Sequence, residues 1–236
     1  MTMIGILGGM GPLATVDFFE RVIQLTSHAG ASRDQDHLPM LVANLPHIPD
    51  RSKAMLMAGE DPLPALLDGI DILNRNRVGL IAIPCNSAHY WYDALRERSE
   101  APILHIAEAC VAAIPQGVQR VAVLATGGTL RSGLYQRILR RSEIEPVVPD
   151  DDAQAQIDAC IHAVKAGDLD ASARALETAL RYFAEHGAGA AVMGCTEIPL
   201  AARRIASPPM QLIDSTLELA RATVSYGLAR GWNTRQ

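Results

Sequence analysis

The chain carries one pattern twice, and that repetition restricts its fold more than any other feature. Residues 81–109, IAIPCNSAHYWYDALRERSEAPILHIAEA, and residues 191–219, AVMGCTEIPLAARRIASPPMQLIDSTLEL, read in the same order. Each has a buried apolar run, a cysteine followed by small polar side chains, a helical stretch, a proline and a short second apolar run. Cys85 and Cys195 lie 110 residues apart, and a second pair, IGILGGMG at 4–11 and VAVLATGG at 121–128, is offset by 117. Two similar offsets describe two related halves.

Short runs rich in Ile, Val, Leu, Met and Ala alternate with longer amphipathic segments, as in parallel sheets wrapped by helices. The expected strands are residues 3–7, 39–44, 79–84, 101–105, 119–125, 144–148, 189–194 and 210–213. Helical spacing with few breakers marks residues 16–25, 63–74, 130–141, 153–165 and 172–186. The fold class is therefore α/β, with two pseudo-symmetric Rossmann-like (flavodoxin-like) domains built on parallel sheets. The first half is expected over residues 1–112, completed by a C-terminal helix over 213–236, and the second over 113–212.

With 236 residues, 49% of them hydrophobic, the chain can bury one large core or two smaller ones. A net charge of −5 leaves no basic stripe, which argues against a nucleic-acid partner. The start, MTMIGILGGMG, has no basic residue before its apolar run and turns glycine-rich where a signal peptide would stay apolar. No run reaches the length of a membrane span. The expectation is a cytoplasmic protein with no membrane partner, whose four cysteines (Cys85, Cys110, Cys160, Cys195) are free thiols.

Ligands of open parallel sheets bind outside the carboxyl ends of the strands. Both cysteines and both glycine-rich turns fall there, so one cleft between the halves is expected to receive a cysteine from each side. Cys85 precedes Asn86 and Ser87, and Cys195 precedes Thr196 and Glu197. These amides and hydroxyls can hold a carboxylate. A helix N-terminus behind each cysteine would lower the thiol pKa toward neutrality.

A buried cysteine is ordinarily a small apolar side chain, and Cys110 and Cys160 are read that way. Cys85 and Cys195 differ because the repeat places them at equivalent positions. Inverting a stereocentre needs a base on one face and an acid on the other, and two like groups exchange those roles in the reverse reaction. A single nucleophilic cysteine would need only a histidine beside it. Nucleotide binding is disfavoured because Gly5, Gly8, Gly9 and Gly11 do not follow G-x-G-x-x-G and no acidic residue closes the second strand. A metal or redox module on Cys85, His89 and Cys195 is disfavoured because no C-x-x-C pair exists.

With GILGGMGPLAT at 5–15, NLPHIPDR at 44–51, PCNSAH at 84–89, LATGGT at 124–129, VKAG at 164–167 and GCTE at 194–197, the chain resembles the aspartate/glutamate racemase family over nearly its whole length, closest to its aspartate racemase branch. The resemblance implies a racemase of an acidic amino acid that needs neither pyridoxal phosphate nor a metal and acts as a homodimer. It implies that Cys85 and Cys195 are the catalytic acid/base pair, with Cys195 taking the proton from the L-isomer and Cys85 from the D-isomer. Asn86, Ser87 and Thr196 would bind the α-carboxylate, and Arg51 and Lys165 would neutralise substrate carboxylates. The motif CNS stands where many relatives have CNT, which keeps the hydroxyl. Hydantoin racemisation and maleate isomerisation use similar scaffolds, and a non-catalytic sensor of acidic amino acids is the alternative outside enzymes.

The residues themselves carry plainer readings too. Arg51 can be a surface loop arginine, and Lys165 can complement a helix C-terminus. Met10, in the glycine turn, can line the cleft or fill the domain core, the cleft being preferred. Thr126 can cap the next helix or touch substrate. Glu197 can orient or buffer the second thiol. His89, four residues past Cys85, is expected on the same helix face, as packing or as a proton relay.

Overall fold

A computed structural model describes residues 2–233. The chain forms two compact units: unit 1 is the chain up to Ala109 together with the chain from Thr216, and unit 2 is Cys110–Ser215. Unit 1 contains β1 (Ile4–Gly8), α1 (Pro12–His28), β2 (Met40–Asn44), α2 (Arg51–Met55), α3 (Leu63–Arg75), β3 (Leu80–Ala82) and α4 (Tyr92–Arg98). Helix α5 (Ile106–Ala112) carries the chain into unit 2. There follow β4 (Arg120–Leu124), α6 (Gly127–Ser132), α7 (Leu134–Arg141), β5 (Glu145–Val147), α8 (Asp151–Lys165), α9 (Leu169–Glu185), β6 (Ala190–Met193), α10 (Ile198–Ala202) and β7 (Gln211–Asp214). Helix α11 (Ser215–Leu228) leads back into unit 1.

Each unit is an α/β layer structure on a parallel sheet, ordered β2-β1-β3 in unit 1 and β5-β4-β6-β7 in unit 2. Strand β4 holds the place in its sheet that β1 holds in the other. A parallel strand covered on both faces must be apolar on both. Accordingly, every residue of β1 and of β6 is buried. One face of the first sheet packs Leu66, Ile70 and Leu73 of α3 against Ile81 and Ile83. The other packs Phe18 and Val22 of α1, with Leu219, Ala220 and Val224 of α11, against Ile4 and Ile6. In unit 2, Ile157, Cys160 and Ile161 of α8 and Leu176, Leu180 and Phe183 of α9 cover Ala191 and Met193 of β6.

Two expected elements come out differently. The strand at 101–105 reduces to a single bridge, Ile81 to Ile103, placed beside β3 as β7 is placed beside β6. Pro102 has no N–H to extend that ladder, and its carbonyl accepts from Ile81 N at 2.9 Å before the chain turns into α5. The helix expected over 130–141 is two helices, α6 and α7, broken at Gly133, whose φ is 66°. Helices α8 and α9 start two and three residues earlier than their periodicity suggests, because Asp150 and Asp168 accept from the N–H groups of Ala153 and Ala171, both at 2.8 Å.

The turn after β1 leaves no room for a side chain at Gly9. Gly9 has φ 96°, its N–H donates to Thr15 Oγ1 at 2.9 Å, and a Cβ there would enter the backbone of Leu45. Gly127, opening α6, has ordinary φ and open space around it. Gly9→Ala is expected to lower stability by about 2 kcal/mol or more. Gly127→Ala should be neutral or gain up to about 1 kcal/mol. Denaturant midpoints of the two variants check the contrast.

Candidate active site

The parallel strands of unit 1 end in three loops that come together. Leu45 N, just past β2, donates to Gly8 O at 3.1 Å, holding the Leu45–Asp50 loop against the glycine turn. Asp50 caps α2 by accepting from Lys53 N at 3.0 Å, which fixes where Arg51 starts. The half-buried Arg51 guanidinium donates through Nη1 to Ile48 O (3.0 Å) and Pro49 O (2.8 Å), and through Nη2 to Met10 O (3.5 Å). Its buried Nε has no protein partner. The cation is thus held by neutral carbonyls, with no carboxylate among these partners to cancel it. The Met10 side chain is 6% exposed and packs with Ile48 and Cys85 in the core of unit 1, so this turn presents its carbonyl rather than the side chain the sequence reading preferred in a cleft.

Cys85 follows β3 by three residues and is 4% exposed. Its Sγ lies 3.4 Å from Ser87 Oγ. Asn86 is 4% exposed. The segment beyond is a 3-10 turn, Ser87–Trp91, that leads into α4. Helix α2 packs against this turn, bringing the Arg51 segment beside the Cys85 segment.

In unit 2, Cys195 follows β6 by two residues and is partly exposed. Its thiol donates to Glu197 Oε2 at 3.0 Å, and Thr196 Oγ1 donates to the same oxygen at 3.1 Å. Glu197 Oε1 faces Lys165 Nζ, in the last turn of α8, at 3.7 Å. Thr126 follows β4 and caps α6, its Oγ1 accepting from Thr129 N at 3.4 Å. Within unit 2 the structure therefore joins Cys195, Thr196, Glu197 and Lys165, and gives Thr126 a capping role.

Residues 7–223 match the family model described as Asp/Glu/Hydantoin racemase. The chain belongs to this racemase family. It is 33% identical over 231 residues to the broad specificity amino-acid racemase RacX of Bacillus subtilis, covering 96% of this chain and 99% of that one. Among solved structures, the Picrophilus torridus aspartate racemase superposes with a TM-score of 0.80 at 29% identity, covering 99% of this chain and all of that one. The Francisella tularensis glutamate racemase, solved in complex with D-glutamate, superposes at 0.70 with 18% identity over 100% of this chain and 84% of that one, a likeness of fold.

Three features of this racemase-family chain differ from what its sequence predicts. No long helix starts behind either cysteine: Cys85 precedes a 3-10 turn, and α10 has five residues. So short a segment aligns few peptide dipoles. The Cys195 thiol, expected to fall in pKa, is instead raised well above the ordinary value by desolvation and then by the Glu197 carboxylate. His89 sits in the 3-10 turn rather than on an α-helical face, and its ring reaches the Cys85 carbonyl, not the thiol.

That ring has a defined structural task. Its Nε2 accepts from Ile106 N at 3.2 Å, so Nδ1 carries the proton and donates to Cys85 O at 2.9 Å. His89 thereby ties the Cys85 segment to the first residue of α5. The carbonyls that hold Arg51 escaped the residue-by-residue reading, since no side-chain type marks a backbone acceptor. Cys160, read as structural, is fully buried, and burial together with Glu197 pushes its thiol up to about 12. No group of three or more His, Cys, Asp or Glu among the described residues is arranged to hold a metal. No helix among them is long and apolar enough to cross a membrane.

Burial lowers the His89 pKa from 6.5 to about 4, outweighing the nearby carbonyls of Cys85 and Leu104, which favour the charged ring. The folded chain then binds fewer protons than the unfolded chain between those values. The His89 contribution is complete above pH 6.5 and is lost as pH falls toward 4, about 3 kcal/mol in all. Denaturant midpoints at pH 7.5 and 4.5 should show His89→Gln losing less stability on acidification than the parent does.

Proposed function

We propose that the chain interconverts the enantiomers of aspartate or glutamate by moving a proton on and off the α-carbon, with Cys85 and Cys195 as the two acid/base groups and no pyridoxal phosphate or metal. The observation that carries the reading is the equivalence of the two thiols. Each stands just past the strand that pairs with the first strand of its unit, β3 beside β1 and β6 beside β4. Family membership supports the reaction class, and the name of the Picrophilus relative supports aspartate.

In this reading one cysteine, as thiolate, takes the α-proton, and the electron pair is left on the α-carbon and its carboxylate. The other cysteine, as thiol, then delivers a proton to the opposite face. Asn86, Ser87 and Thr196 donate hydrogen bonds to the α-carboxylate as negative charge develops there. Arg51 receives a carboxylate, because a guanidinium held only by neutral carbonyls still has its charge to offer. Lys165 supplies the second cation. Met10 and Thr126 shape the two strand-end turns. By analogy with the family, Cys195 serves the L-isomer and Cys85 the D-isomer, in a homodimeric, cytoplasmic enzyme.

A second reading widens the substrate range. Lys165 already shares its charge with Glu197, and the Bacillus subtilis relative is named for broad specificity. A panel of neutral and basic amino acids therefore belongs beside the acidic ones.

The test is incubation of the protein with each enantiomer in deuterated water, followed by NMR at the α-carbon and chiral chromatography. Exchange with inversion is expected, and no exchange with any amino acid of the panel would end the enzyme reading. Cys85→Ser and Cys195→Ser should each cost at least about a hundredfold in racemisation with circular dichroism unchanged, because a hydroxyl is a far weaker acid than a thiol. Normal turnover in either variant rejects the two-base assignment. Arg51→Leu should weaken substrate capture by about 2–5 kcal/mol, read from KM or a binding titration. Unchanged capture removes Arg51 from the site.

A further inference from the structure

We infer that Glu197 holds the proton on the Cys195 sulfur and that Lys165 sets how firmly it is held, so that unit 2 carries a charge-regulated thiol whose resting form is the acid. The catalytic meaning of this device rests on the racemase reading above, whereas the thiol chemistry stands on the geometry of unit 2 alone.

Three contacts define the device. The Cys195 thiol and the Thr196 hydroxyl both donate to Glu197 Oε2, at 3.0 and 3.1 Å, so that oxygen acts as an acceptor. Were Cys195 to ionise in this arrangement, two negative charges would stand where one hydrogen bond now lies. The other oxygen, Oε1, faces Lys165 Nζ at 3.7 Å, and that cation offsets part of the carboxylate's charge. The Lys165 side chain is 61% exposed and the Glu197 side chain 25%, which places their pair at the solvent edge, within reach of an incoming carboxylate.

Burial aside, Glu197 and Lys165 are the two charges that act on the thiol. From α8 come Lys165 and the Cys160 thiol, which is buried and keeps its proton. From α9, which also packs on α10, Ala173, Leu176 and Leu180 face the core, and Asp170 pairs with Arg204 at 3.4 Å. Desolvation raises the Cys195 pKa most, the Glu197 carboxylate raises it further, and Lys165 lowers it.

Cys85, at the equivalent strand end, has the neutral Ser87 hydroxyl beside its sulfur. The two thiols match in chain position and differ in the charge next to them. The direction of racemisation in which Cys195 delivers the proton starts from the resting form, whereas the reverse direction first requires Cys195 to lose its proton. A dicarboxylate that draws Lys165 away from Glu197 tightens the hold further. At saturating substrate the turnover numbers in the two directions therefore respond differently to pH, whereas kcat/KM, tied by an equilibrium constant of one between enantiomers, keeps the same pH profile in both.

The experiment follows the rate of alkylation of Cys195 by iodoacetamide in the Cys85→Ser protein, from about pH 6 to pH 10, by mass spectrometry of the Cys195 peptide, and a midpoint above this range is compared between variants by the pH at which equal rates are reached. Cys110 and Cys160 are fully buried and do not compete. Glu197→Gln is expected to lower the titration midpoint by about one pH unit or more, with alkylation near neutral pH roughly tenfold faster. Lys165→Met is expected to move the midpoint up and slow alkylation. Shifts of opposite sign are not produced by a merely structural role. An unchanged or raised midpoint in Glu197→Gln, or a lowered one in Lys165→Met, overturns the inference. Should Glu197→Gln fail to fold, the exposed Lys165 carries the test by itself. Shifts of the expected signs in a chain that racemises nothing support the thiol assignment and count only against the racemase reading. Their absence in an active racemase overturns the assignment and leaves that reading intact.

Discussion

The backbone of the turn after β1 runs against the backbone leaving β2 at a spacing no side chain can enter, and the arrangement of unit 1 follows from that approach. Gly9 is confined to glycine by its positive φ and by the proximity of Leu45. With those two segments in contact, the loop through Ile48 and Pro49 turns its carbonyls toward the Arg51 guanidinium, and the Met10 carbonyl meets the same group from the turn itself. One close approach of two backbones thus converts a loop arginine into a fixed cation.

The way each unit handles charge differs. In unit 1 the cation is held by neutral carbonyls and the thiol sits beside a neutral hydroxyl. In unit 2 the cation and the thiol share one carboxylate. Duplicating an α/β unit repeats strand order and strand-end position, because both follow from parallel pairing and burial. It does not repeat charge, because one side chain two residues past a cysteine suffices to change it. That single difference leaves two thiols at equivalent strand ends in unlike electrostatic surroundings.

Polar groups in the interior are spent on the backbone. His89 uses both ring nitrogens to join the Cys85 segment to α5, and burial keeps the ring neutral. A relay would need a nitrogen left over for the thiol, and the ring's two principal contacts occupy both. The Cys85 segment is therefore held to α5 by a hydrogen-bonded clamp.

The sequence alone determined the α/β class, the duplication, seven of the strands and the two cysteines at strand ends. These are legible because burial on both faces writes a continuous apolar run, and repetition writes itself at a constant offset. Tertiary structure decided what depends on neighbours distant in sequence or on single backbone angles. Pro102 and the turn into α5 reduced an apolar run to one bridge, and Gly133 split a helix whose periodicity was unbroken. The Lys165 side chain met Glu197 because α8 packs on α10. The direction of the Cys195 shift likewise followed from burial and from a carboxylate 3.0 Å away. Spacing can place a thiol at the end of a strand, but its acidity is set by the charge and solvent around it, and only the folded chain assembles those.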